Sequence, residues 1–149
     1  MRANLLAIAL AFVSAAPAFA EQLVTVCGKA SGKSYDLESN KWTDDNGAMN
    51  GTTSFVRDDN GGYNILYKDA LTSGSVTADG AKVYKLKGDE NELLTLVAVY
   101  PQRVIEVYQL TLDSNGRGGL IWSSFKNRAG AIAGMPVTMG TLLTASCSK

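Results

Sequence analysis

The chain has no histidine. That removes the most frequent general base, every Ser-His-Asp or Cys-His arrangement, and the most frequent zinc ligand. No G-x-S-x-G elbow, phosphate-binding loop or dinucleotide fingerprint is present either. Charge of one sign is also lacking. The chain holds 14 basic and 14 acidic residues with no basic stripe, which argues against nucleic acid and against an anionic membrane surface as partners. Long apolar runs are scarce. Beyond the first twenty residues the strongest is Leu93 to Tyr100, "LLTLVAVY", which is strand length rather than the ~20 residues a membrane helix needs. There is no linker, low-complexity tract or repeat.

The one other apolar stretch opens the sequence. "MRANLLAIALAFVSAAPAFA" places Arg2 before an apolar run from Leu5 to Ala16, then Pro17 and Ala18-Phe19-Ala20. This is the three-part pattern of a secretory signal peptide, with cleavage expected after Ala20. A mature chain of residues 21–149 fits one domain. It is expected in the periplasm or secreted, with no transmembrane segment.

Two cysteines remain, Cys27 and Cys147. In an oxidising compartment they can pair in only one way. Such a bridge needs Cα atoms within about 7 Å, so the first and last segments must be neighbours. Two thiolates with no histidine make a poor metal site, and no metal or other cofactor is expected.

Between the cysteines, helix signals are few and turn signals recur: Asn46-Gly47, Asn60-Gly61, Asp79-Gly80, Gly88-Asp89, Asn115-Gly116. Flanked by alternating runs, they read as hairpins. Strands are expected over Leu23–Cys27, Thr52–Arg57, Tyr63–Lys68, Ser75–Ala78, Lys82–Lys87, Leu93–Tyr100, Val104–Leu112, Leu120–Phe125 and Thr141–Cys147. In Val104–Leu112 a glutamate, Glu106, shares the face of Tyr108, Leu110 and Leu112, which reads as a β-bulge or a change of packing layer. Lys33 to Asn50 could hold a strand or a short helical turn. Arg128 to Met139 could be a short helix or a loop. The expected fold is all-β: a small antiparallel meander of seven or eight strands closing into a barrel or bent sandwich, tied by one N-to-C-terminal disulfide.

Candidate chemistry is sparse, and no catalytic residue is assigned. Asp44-Asp45 and Asp58-Asp59 are adjacent carboxylates in turn-like contexts, and adjacent strand residues point to opposite faces. D-x-N-G occurs three times, at Asp44, Asp58 and Asp113. None of the copies supplies the remaining ligands of a calcium loop, and Asx turns explain the same letters. Tyr63, Tyr67, Tyr108 and Trp122 either fill a core or line an interior pocket. Trp42 stands among polar residues in "SNKWTDDNG", a candidate contact anchor or barrel cap. Arg117 and Arg128 are basic tips that could meet an acidic partner. The lysines at 82, 85 and 87 read as a solvated strand face.

The plan is similar to small exported β-barrels with one disulfide, lipocalin-like carriers and periplasmic lysozyme inhibitors among them. The similarity is of plan, with no motif of either at matched positions. The sequence therefore suggests a small non-catalytic binding protein of the bacterial envelope that contacts a protein or envelope component through its loops. Two alternatives stand beside it: a lipocalin-like carrier of a small apolar ligand, and more remotely a carboxylate-based hydrolase.

Overall fold

A computed structural model describes residues 21–36, 39–46, 51–88, 93–101, 104–132 and 135–149, with the side chains of Lys87 and of 127–139 left out. The predicted leader, residues 1–20, lies outside the described residues. What is described is all-β, with eleven strands: β1 Gln22–Cys27, β2 Ser31–Asp36, β3 Lys41–Asp45, β4 Thr52–Arg57, β5 Tyr63–Lys68, β6 Ser73–Ser75, β7 Lys82–Lys87, β8 Leu93–Tyr100, β9 Val104–Leu112, β10 Gly118–Ile132 and β11 Met135–Ser148. They form one antiparallel sheet in the order β6-β5-β4-β1-β11-β10-β9-β8-β7, curled into a half-barrel.

Turn chemistry sets two of the hairpins. Asp58 Oδ1 accepts the amides of Asn60 and Gly62 at 2.8 Å each, and Gly61 takes φ +81°. Asp113 repeats this: Oδ1 accepts Asn115 at 2.8 Å and Arg117 at 2.9 Å, with Gly116 at φ +72°. A three-residue loop that ends in a left-handed residue closes each hairpin, and glycine takes that conformation without steric cost. The third copy behaves differently. Asp44 and Asp45 lie within β3, opposite Lys33 and Gly32, so the turn-like reading there is corrected; Gly47 lies outside the described residues.

Cys27 and Cys147 are bridged. They sit opposite each other in the β1–β11 ladder, with Cα atoms 3.9 Å apart. The last strand thus meets the first, as the pair required. β11 shares one edge between two partners: its end pairs with β1 and its middle with β2. Gly28–Ala30 separates those partners, and β1 carries β4 on its far side where β2 carries β3. The sheet forks there.

The two ends of the sheet are joined by the chain and not by a ladder. β6 and β7 end the hydrogen-bonded path, so the hairpin expected across Asp79-Gly80 does not form. Residues 76–80 are a turn, with Val76 N on Ile65 O at 2.9 Å and Ala81 N on Val76 O at 2.9 Å. Of the segment from Arg128 to Met139, expected as helix or loop, residues 128–132 and 135–139 are strand, and β10 pairs with β11 as far as Ile132 and Met135. The pairing of β9 with β8 and β10 shows no register shift. Glu106, Tyr108, Leu110 and Leu112 are all buried on one face, so the expected bulge or layer change is absent and a carboxylate points inward. The core joins that face to Phe55, Ile65, Leu94, Leu96 and Leu120.

Candidate functional site

Directly opposed residues of an antiparallel ladder share a face, so the interior can be traced in rows. One row runs Leu94–Leu110–Leu120–Ala145 and is apolar. The next runs Leu96–Tyr108–Trp122–Leu143. The one after runs Ala98–Glu106–Ser124–Thr141–Ser34 and is mainly polar. Tyr100, Val104 and Lys126 follow. The interior therefore passes from apolar to polar within three rows, with the aromatic pair at the boundary.

At that boundary lies a cavity of about 220 Å³. Tyr100, Glu106, Tyr108, Trp122 and Lys126 form one wall, and Thr53, Ile65, Tyr67 and Val76 the other. Lys68 and Asp69 stand beside the second wall, and Gly28, Ala30 and Gly51 bring the cavity to the fork in the sheet. Tyr108 stacks on Trp122, with centroids 5.5 Å apart and planes 16° apart, and Phe55 meets Tyr108 edge-on at 5.6 Å. Packed aromatic pairs constrain each other's orientation.

Glu106 is the one buried charged residue among the described residues. Tyr108 donates to its Oε2 at 2.6 Å. Burial pushes the Glu106 carboxyl above its ordinary range, while the Tyr108 hydrogen bond, the Lys126 ammonium and the Tyr100 hydroxyl pull it back. Burial also raises the Tyr108 and Tyr100 phenols, helped by the Glu106 charge. Ser124 and Thr141, opposite Glu106 in the same row, hydrogen-bond to each other. Trp122 Nε1 is buried and finds no acceptor among the described residues.

The structure brings Tyr67, Tyr108 and Trp122 to one cavity. Tyr63 stands apart, against the core with Lys85 Nζ 5.7 Å from its ring centroid. Tyr67 gives its hydroxyl to Asp79 at 2.6 Å, and this hydrogen bond, followed by burial, raises its phenol. Trp42 lies on a strand, 60 % exposed, with its ring 5.1 Å from Tyr35. On the outer face it continues a row through Tyr35, Gly140, Phe125 and Ile105. Arg117 is exposed in the β9–β10 turn. The backbone of Arg128, in β10, pairs with Val137 of β11, and the Arg128 side chain lies outside the described residues. Eleven residues of strand, roughly 35 Å, separate the two arginines, so the candidate loop residues do not gather on one tip.

Sequence reasoning passed over Glu106, Tyr100 and Lys126 as site residues. Glu106 did carry a signal, an acidic residue on an apolar strand face. Among the described residues, no group of three or more His, Cys, Asp or Glu could hold a metal ion, and no helix is long and apolar enough to cross a membrane. Comparison with family models, with curated proteins and with solved structures finds no match to this chain.

Proposed function

We propose that the protein is an exported, non-catalytic binding protein that holds a small, mainly apolar ligand inside its curled sheet. The observation that carries this reading is the cavity of about 220 Å³ between Tyr67 and the stacked Tyr108–Trp122 pair. An apolar space with a few converging polar groups is the usual form of a small-molecule site. The leader pattern and the disulfide support export to an oxidising compartment such as the periplasm. The missing histidine supports a non-catalytic role. So does the acidic chemistry of the interior: a two-carboxylate hydrolase needs a converging partner, and the Oδ1 of Asp69, which also lines the cavity, accepts the amides of Leu71 and Thr72 at 2.7 Å each. Native mass spectrometry of protein isolated from its exporting cells tests the reading. A retained small-molecule adduct is expected, lost when Thr53→Phe fills the cavity; a bare protein after gentle isolation in both forms counts against it.

Contact with a protein or envelope component is the second reading, and the exposed row from Trp42 to Phe125 favours it. A photo-crosslinking side chain at position 42, used in intact cells, should capture a discrete partner that the same group at position 71 does not.

A further inference from the structure

We infer that the protein pairs with a second copy of itself along the outer edge of β3, in an antiparallel register centred on Thr43. The inference names a partner for the contact reading of the Trp42 row, on which it rests, and is independent of the cavity.

Among the described residues β3 pairs with β2 alone. Its other edge therefore presents backbone amides and carbonyls without ladder partners, and such an edge is a template for another strand. Short length and charge are the usual means of blunting one. β3 is short and charged, but its charges are ordered. It reads Lys41-Trp42-Thr43-Asp44-Asp45, with the first four residues exposed and Asp45 half-buried. A base opens the strand and acids close it, so the edge is complementary to itself turned end for end.

A two-fold axis limits the registers. Directly opposed residues share a face and faces alternate along a strand, so the axis must set one residue against its own copy. Centred on Asp44, it opposes two like charges. Centred on Trp42, it sets Lys41 against Thr43 and leaves Asp45 without a base. Centred on Thr43, it sets Lys41 of each copy against Asp45 of the other. Lys41 also lies opposite Asp36 of its own chain, so charge then alternates in sign along the row Asp36, Lys41, Asp45 of the second copy. Asp44 is paired within its chain to Lys33.

The other face of the same register is aromatic. Trp42, 60 % exposed, comes diagonal to Trp42 of the second copy, a separation that large aromatic side chains span. The outer row through Ile105, Phe125, Tyr35 and Trp42 then runs on into the second molecule. Buried tryptophan is a frequent anchor of interfaces. A ladder of five residues is a small interface, so the dimer is weak and depends on concentration.

Sedimentation velocity of the chain from residue 21 to 149 should show a monomer–dimer exchange that rises with concentration. Lys41→Glu and Asp45→Lys each set like charges against each other at both ends of the ladder, and each should weaken self-association at least about tenfold. Mixed in equal amounts, the two variants set opposite charges at both ends and should associate as the wild type does. A wild type that stays monomeric up to about 1 mM overturns the inference, and capture at position 42 then decides the contact reading by itself. Dimerisation that neither substitution weakens, or a mixture no tighter than its components, overturns it as well. Thr43→Cys keeps the test open if a charge variant does not fold. The protein has no free cysteine, and the register sets position 43 against itself, so a short bismaleimide should join two copies through Thr43→Cys and not through Thr77→Cys. Equal joining at both positions, or at neither, overturns the register.

Discussion

Tyr108 donates a 2.6 Å hydrogen bond to Glu106, two residues earlier on the same strand and on the same interior face. Residues at i and i+2 of a strand lie side by side. A phenol placed there can hold a carboxyl inside the sheet that burial alone would disfavour in its charged form.

The first prediction concerns pH. Burial raises the Glu106 carboxyl above its value in the unfolded chain, so over the interval between those two values the folded state binds the extra proton. Stability from this group is complete below the ordinary carboxylate range and is lost as pH rises through the folded value. Glu106→Gln keeps an acceptor for Tyr108 and removes the titration. Urea unfolding across pH should show the wild type losing stability over that interval and the variant losing less. Parallel curves would remove the buried-carboxyl account.

The second concerns the disulfide. It closes a separation of 120 residues, and loss of a native disulfide from a small exported domain costs about 2–5 kcal/mol. The paired change Cys27→Ser with Cys147→Ser should lower the denaturant midpoint by that order. The β1–β11 ladder has only two residue pairs, so hydrogen exchange should also quicken in β1 before it does in β9. Uniform quickening would deny the bridge its local role.

Calcium provides the third. Asp58 and Asp113 each spend one carboxylate oxygen on two backbone amides of their own turn. Asp58→Ala or Asp113→Ala should cost about 1–3 kcal/mol, the net worth of two hydrogen bonds, and millimolar calcium should leave the thermal midpoint unchanged. A calcium-dependent rise that either substitution abolishes would make the turns metal sites.

These turns also show what could be read from the letters. β4, β5, β7, β8 and β9 begin and end where alternation and D-x-N-G signals place them, because each strand carries its own pattern and turn. β2 and β3, SGKSYD and KWTDD, do not. Their stability comes from pairing with β11 and with each other, and no local composition records a ladder. β10 and β11 go on pairing beyond Asn127, from Arg128–Val137 to Ile132–Met135, for the same reason. At the candidate site Tyr67, Tyr108 and Trp122 were visible as aromatics on strands. That Tyr63 would part from them depends on how the sheet curls, which is set far from residue 63. Glu106 was visible as an anomaly. A bulge would explain it by turning the residue outward, but the continuous register on both sides of β9 keeps it inside.

A fourth prediction tests the tie between β1 and the β9–β10 turn. Thr25 Oγ1 donates to Gly116 O at 2.7 Å, and both residues are buried. Thr25→Val keeps the shape and leaves that carbonyl without its partner, at a cost of about 1–3 kcal/mol. Thr77→Val, at an exposed position, is the control and should change stability by less than about 0.5 kcal/mol. Equal effects at both positions would mean that the tie adds nothing.

The central claim is that the space between Tyr67 and Trp122 admits a ligand. Trp42→Phe leaves Trp122 as the sole tryptophan, and its emission reports the cavity wall directly. Acetophenone titrated into that protein should give a saturable change, and the same titration into the Trp42→Phe, Thr53→Phe protein should not. A saturable change of equal size in both, or a merely linear response in both, would contradict the account.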